Sequence, residues 1–132
     1  MHLKPWIIAT ILCAFALGGI AQAQSSLPAS VKVMTMGSMS MLTGANGLTL
    51  YFFDADTAPG KSTCNGPCAA KWPPLAAASD AKPVGNYTII TRDDGSTQWA
   101  YKGRPLYFYA GDKQPMDMTG DGVAGKWHVA AP

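Results

Sequence analysis

The chain writes one pattern twice, at an offset of fifty-six residues. Gly47 matches Gly103, Leu50 matches Leu106, Tyr51 matches Tyr107, Phe53 matches Tyr109, Asp56 matches Asp112 and Pro59 matches Pro115. After a one-residue gap, Lys71-Trp72 matches Lys126-Trp127. A repeat of this kind is a packing unit that cannot bury its apolar face alone and is completed by its neighbour. Two units follow, 33–76 and 89–132, joined by a connector at 77–88. A chain of 132 residues has room for one ordinary domain, so both units belong to a single β domain over 33–132.

The local signals are those of strands and turns. All eight acidic residues are Asp, which favours turns and caps, and none is Glu, a helix former. Alternation begins at Val31-Lys32-Val33. Candidate strands follow at Leu48–Asp54, Tyr87–Arg92, Thr97–Tyr101, Pro105–Tyr109 and Lys126–Ala130, separated by Gly-, Asn- and Asp-rich turns. Asp-Gly within RDDGST (92–97) predicts a hairpin because it tolerates positive φ. Only Ala69–Trp72 reads as a helical turn, and Pro73-Pro74 stops it. The fold class is therefore all-β, a small antiparallel domain of two tandem related units packed around Trp72, Trp99 and Trp127.

The first residues read as an export signal. His2 and Lys4 precede an apolar run from Trp6 to Ile20, and Ala21-Gln22-Ala23 supplies small-x-small cleavage chemistry, so removal after Ala23 is expected. The run is shorter than the roughly 20 residues a bilayer span needs. Cys13 is preceded by Leu12, where a lipoprotein signal wants a small residue, so no lipid anchor is expected. Residues 24–32 read as a flexible leader. The expected destination is the periplasm or the medium, with no stable membrane anchor after cleavage. Loss of Lys4 leaves nine basic residues against eight acidic ones with no basic cluster, which argues against nucleic acid as a partner. In an oxidising compartment Cys64 and Cys68, spanning the turn residues Asn65-Gly66-Pro67, form a disulfide by default.

On a strand, Tyr51 and Phe53 point to one face while Leu50 and Phe52 point to the other, which suits a strand buried on both sides. Asp56 falls where the strand yields to a turn, and its carboxylate accepts backbone N–H groups there. Trp72 and Trp127 are each large enough to close the core of one unit. Tyr51-x-Phe53-x-x-Asp56 and Tyr107-x-Tyr109-x-x-Asp112, with CNGPCAAKWPPL, QWAYKGRPLYFYAGD and GDGVAGKWHVA, resemble a family of bacterial and archaeal secreted or lipoprotein repeats. The resemblance covers essentially the whole chain after the signal. It implies a signature Yx(FWY)xxD carried by Tyr51, Phe53, Asp56, Tyr107, Tyr109 and Asp112, and no reaction. The chain departs from the pattern in its missing lipobox and at Met116-Asp117.

Three constellations carry possible chemistry. Met34, Met36, Met39 and Met41, joined by Met116 and Met118, offer thioethers, soft ligands that select Cu(I). Reduced Cys64 and Cys68, or His128, could add to them; packing is the plainer role of such methionines. Asp117-x-Thr119-x-Asp121-Gly122 imitates the start of a calcium loop but lacks the closing Glu, so calcium is the weaker expectation and a metal-free turn the stronger. His128 is the only histidine after the signal, so any histidine-based nucleophile must use it, and no catalytic motif surrounds it. The expectation is a non-enzymatic exported binding or envelope-interaction protein, whose partner is an envelope protein or small ligand, without a cofactor. The alternative is a periplasmic Cu(I)-binding protein using the Met-rich strand.

Overall fold

A computed structural model describes His2 and residues 27–132. Apart from His2, the expected signal peptide with Cys13 and the start of the leader lie outside the described residues. The strands are β1 (Val31–Met36), β2 (Met39–Gly44), β3 (Tyr51–Phe53), β4 (Tyr87–Thr91), β5 (Thr97–Tyr101), β6 (Arg104–Pro105) and β7 (Trp127–Val129), with one short α-helix, α1 (Pro67–Lys71), and a 3-10 turn at Val123–Gly125. They form three small antiparallel sheets, β1-β2, β3-β7 and β4-β5-β6. The expected all-β architecture is the observed one. β1 opens inside the stretch read as leader, because Val31 is buried and its N–H is taken by Pro28 O at 3.0 Å.

Several expected strands are shorter than the sequence pattern suggests. Only Tyr51–Phe53 of Leu48–Asp54 is a strand, and Pro105–Tyr109 is reduced to β6 and isolated bridges at Tyr107. The reason is that these backbones change partners along their length. Leu42 N–H donates to Ala130 O (2.8 Å), Ala130 N–H to Leu50 O (2.8 Å) and Leu50 N–H to Leu42 O (3.0 Å), closing a three-membered ring. A second ring repeats it: Trp99 N–H donates to Leu75 O (2.9 Å), Leu75 N–H to Leu106 O (2.9 Å) and Leu106 N–H to Trp99 O (3.0 Å). Each backbone donor and acceptor in a ring is satisfied once, as burial demands. All six side chains lie in one apolar core with Val31, Phe52, Tyr87 and Tyr101.

The rings show that the two units are exchanged. Leu42 and Leu50 come from the first unit but are joined by Ala130 of the second, while Trp99 and Leu106 are joined by Leu75 of the first. The same holds for the strands beside them. β7 pairs with β3, and Asp54 N–H donates to Lys126 O at 2.8 Å. In the other half, Phe108 N–H donates to Pro73 O at 2.7 Å and Ala110 N–H to Lys71 O at 2.8 Å. The closing segment of each repeat therefore completes the other repeat.

Helix α1 begins two residues earlier than expected, because Pro67 at its first position has the φ a helix needs and loses no bond for lack of an N–H. It ends at Lys71, with Trp72 as its C-cap before Pro73. Cys64 and Cys68 are joined in a disulfide across its start.

Trp72 and Trp127 do not close separate cores. Their rings stack on each other with centroids 3.7 Å apart and planes at 0°. Trp99 lies apart from them, in the first core. Replacing either stacked tryptophan by Ala is expected to cost about 3–5 kcal/mol, and hydrogen exchange should show protection falling in both repeats together. Loss confined to one repeat would contradict the exchanged arrangement.

Candidate functional site

The second core holds the repeated motif. Tyr51 and Tyr107 face each other across an antiparallel bridge, each donating its N–H to the other's carbonyl at 2.8 and 3.1 Å. A local two-fold relation runs between them. Phe53 stacks on Trp127 (4.2 Å) and Trp127 on Trp72, while Tyr109 lies against Trp72 at 4.3 Å with its plane tilted by 30°, making a four-ring column whose halves correspond. Tyr51 meets Trp72 edge-on at 5.4 Å, and Tyr107 meets Trp127 edge-on at 5.2 Å. Such contacts add about 0.5–1.5 kcal/mol each beyond the area they bury. Gly120 packs under the column, where an added Cβ would stand 2.8 Å from the Trp72 ring.

The motif aspartates cross over in the same way. Tyr51 Oη donates to Asp112 Oδ2 at 2.5 Å, and Tyr107 Oη donates to Asp56 Oδ2 at 2.5 Å. The remaining oxygen of each carboxylate is taken seven residues on. Thr63 N–H and Oγ1 donate to Asp56 Oδ1 at 2.7 Å, and Thr119 N–H and Oγ1 donate to Asp112 Oδ1 at 3.0 and 2.5 Å. The backbone N–H expected at Asp56 is there, but the tyrosine of the opposite repeat was not expected. The signal was present: Asp-x6-Thr occurs in both units at equal spacing.

Sequence reasoning also missed Arg92, a cation buried to 5% exposure. Its guanidinium donates to Cys64 O (2.6 Å), Gln98 Oε1 (2.7 Å) and Ser62 Oγ (3.0 Å), and more distantly to Asn65 Oδ1 (3.3 Å). Ser62 Oγ is 2.6 Å from Tyr107 Oη. Each hydroxyl has one hydrogen, and that of Tyr107 goes to Asp56, so Ser62 donates to Tyr107. One polarity then runs Arg92 to Ser62 to Tyr107 to Asp56, from buried cation to carboxylate. In the other repeat Gly120 N–H, 3.2 Å from Tyr51 Oη, fills the place of Ser62.

The other expected site residues are scattered. His128 Nε2 lies 2.7 Å from Asp54 Oδ2, and Arg104 approaches the same carboxylate at 3.6 Å, all three exposed. The calcium-like loop directs its oxygens to separate places. Asp117 Oδ2 accepts from Lys113 and Gln114 N–H, Thr119 is bonded to Asp112, and Asp121 Oδ1 accepts from Val129 N–H. Asp94 accepts from Ser96 within the expected hairpin turn, which holds its carboxyl below the usual range.

The methionines behave differently. VMTMGSMSM is not one strand but a hairpin folded at Gly37-Ser38, with Gly37 at φ 59° as a type II′ turn requires. Met34 pairs with Met41 and Met36 with Met39. Cross-strand partners share a face, as do residues two apart, so all four thioethers lie on one face. Met116 and Met118 flank Asp117, whose carbonyl accepts from Thr49 Oγ1 at 2.7 Å; that hydroxyl is 3.7 Å from Met41 Sδ.

Burial, and then the bond to the opposite aspartate, push the Tyr51 and Tyr107 phenols well above the ordinary tyrosine range; burial pushes Tyr87 up to about 12. A tyrosine whose pKa is raised by folding stabilises the protein fully below its unfolded value of about 10 and loses that contribution as pH rises toward the folded value. Stability measured by urea unfolding should therefore decline above about pH 10. Tyr51→Phe or Tyr107→Phe should make that decline shallower, and an unchanged slope would contradict the coupling.

Among the described residues no helix is long and apolar enough to cross a membrane. No curated protein and no solved structure is significantly similar to the chain. The family described as a secreted repeat of unknown function matches twice, over residues 32–76 and 88–131. Both matches contain the tyrosine, aromatic and aspartate that interlock across the two-fold relation, and the chain belongs to this family of secreted repeats, carrying two copies of its unit.

Proposed function

We propose that the protein acts in the cell envelope or medium as a non-enzymatic binding protein, released from a signal peptide after Ala23, with the β1–β2 hairpin as its contact surface. The observation that carries this reading is the division of labour between motif and hairpin. The phenols and carboxylates of the signature, the groups with most chemistry to offer, are bonded to one another between repeats. The large apolar side chains left exposed among the described residues are Val33, Met39 and Met116, two of them on this hairpin. β1 pairs with a strand on one side only, so its outer edge is open to an extended segment of a partner.

Val33 lies on the face shared with Leu42, Thr35 and Ser40, opposite to the methionines. A photo-cross-linking residue placed at position 33 in cells is expected to give a discrete adduct that excess purified protein competes away. The same probe at Asp80, exposed on the connector, should give none. Equal labelling at both positions, or none at either, would overturn the hairpin as the contact surface.

A further inference from the structure

We propose that the methionine face of the β1–β2 hairpin binds one soft monovalent cation, Cu(I) in the cell, through the thioethers of Met36, Met39 and Met34. The proposal rests on the binding-protein reading and names a ligand for the same hairpin. Met36 and Met39 occupy the two positions flanking the Gly37-Ser38 turn and oppose each other directly. Directly opposed Cβ atoms stand about 4.5–5.5 Å apart. A thioether sulfur lies two bonds beyond Cβ, so two such sulfurs can meet one ion without moving the backbone. Met34 is next along the same face. Met34 and Met36 are half-buried and Met39 is 42% exposed, so the trio opens to solvent at the turn.

Met41 forms the floor rather than a ligand, because it is fully buried. The Thr49 hydroxyl near its sulfur has a single hydrogen, and the Asp117 carbonyl at 2.7 Å takes it in preference to a thioether at 3.7 Å. Beside Met41 on this face sits Thr43, whose Oγ1 is buried without a partner. The charged group of the face is Lys32, at the end away from the turn. Thioethers are neutral, so they do not offset the charge of a divalent ion, and their softness favours Cu(I) over hard or borderline metals. Of the other donors considered from sequence, Cys64 and Cys68 are bonded to each other and His128 is bonded to Asp54.

Thioethers do not titrate, whereas thiolate and imidazole sites release protons on binding. Affinity at this face should therefore be flat between about pH 5 and 7.5. The test uses the exported protein with its disulfide intact, Ag(I) as a redox-inert probe followed by native mass spectrometry, and Cu(I) competed anaerobically against a chromogenic chelator. One ion per chain is expected. Met36→Leu with Met39→Leu should weaken it more than tenfold, while Met116→Leu with Met118→Leu leaves it unchanged. Met39→Leu alone, at an exposed position, should weaken it with no change in melting temperature, which separates ligand loss from misfolding. No retained ion, retention unaltered by the Met36/Met39 changes, or an affinity that rises steeply with pH would overturn the site. Loss of the metal result with the position-33 adduct intact removes the ligand alone; loss of the adduct removes the binding surface.

Discussion

The structure depends on one contact, the antiparallel bridge between Tyr51 and Tyr107. Because these residues are equivalent in the two repeats, pairing them sets the motif contacts around them twice. Each phenol is aimed at the aspartate of the opposite unit, and each carboxylate is held from its other side by a threonine seven residues on. The tryptophans meet on the same axis, and the closing segments pass to the opposite unit. A hydrogen bond to a charged acceptor is worth about 1.5–3 kcal/mol, so two such bonds across the axis weigh heavily against a total stability of about 5–15 kcal/mol. The spacing in Yx(FWY)xxD follows from this. Tyr and the second aromatic share a strand face at alternate positions, and Asp falls past the strand end, where the opposite phenol reaches it.

Much of this was legible in the sequence. Alternation located β4, β5 and β7, Asp-Gly located the β4–β5 turn, and a lone cysteine pair across turn residues in an exported chain located the disulfide. The two-faced burial of the motif strand was also readable, since Leu50 and Phe52 alternate with Tyr51 and Phe53. The exchange between repeats was not readable, because a repeat in sequence is the same whether each copy closes on itself or on its partner. Two features settle it in space: the backbone rings at Leu42, Leu50 and Ala130 and at Leu75, Trp99 and Leu106, and the direct stacking of Trp72 on Trp127. Arg92 was hidden for another reason. An arginine at a strand end looks solvated, and only the fold brings it against the Cys64 carbonyl and the Ser62 hydroxyl.

The methionine run shows how a turn alters chemistry. Read as one strand, Met34 to Met41 would divide between faces, since the pairs 34/36 and 39/41 differ in parity. The Gly37-Ser38 turn folds the run back, and the register places all four on one side. Two groups of residues thus separate in space. The signature residues hold the repeats together, while the hairpin presents an open edge and a row of thioethers. The proposed binding surface lies where the repeats differ in sequence, because the shared residues are committed to the interlock.

The crossed hydrogen bonds are tested most directly by double-mutant cycles on stability. Tyr51→Phe combined with Asp112→Ala should show a coupling of about 1–3 kcal/mol, and Tyr107→Phe combined with Asp56→Ala should match it. The same tyrosine changes combined with the aspartate of their own repeat should couple by less than about 0.5 kcal/mol. Coupling that is larger within a repeat than between repeats would contradict the interlock on which the account rests.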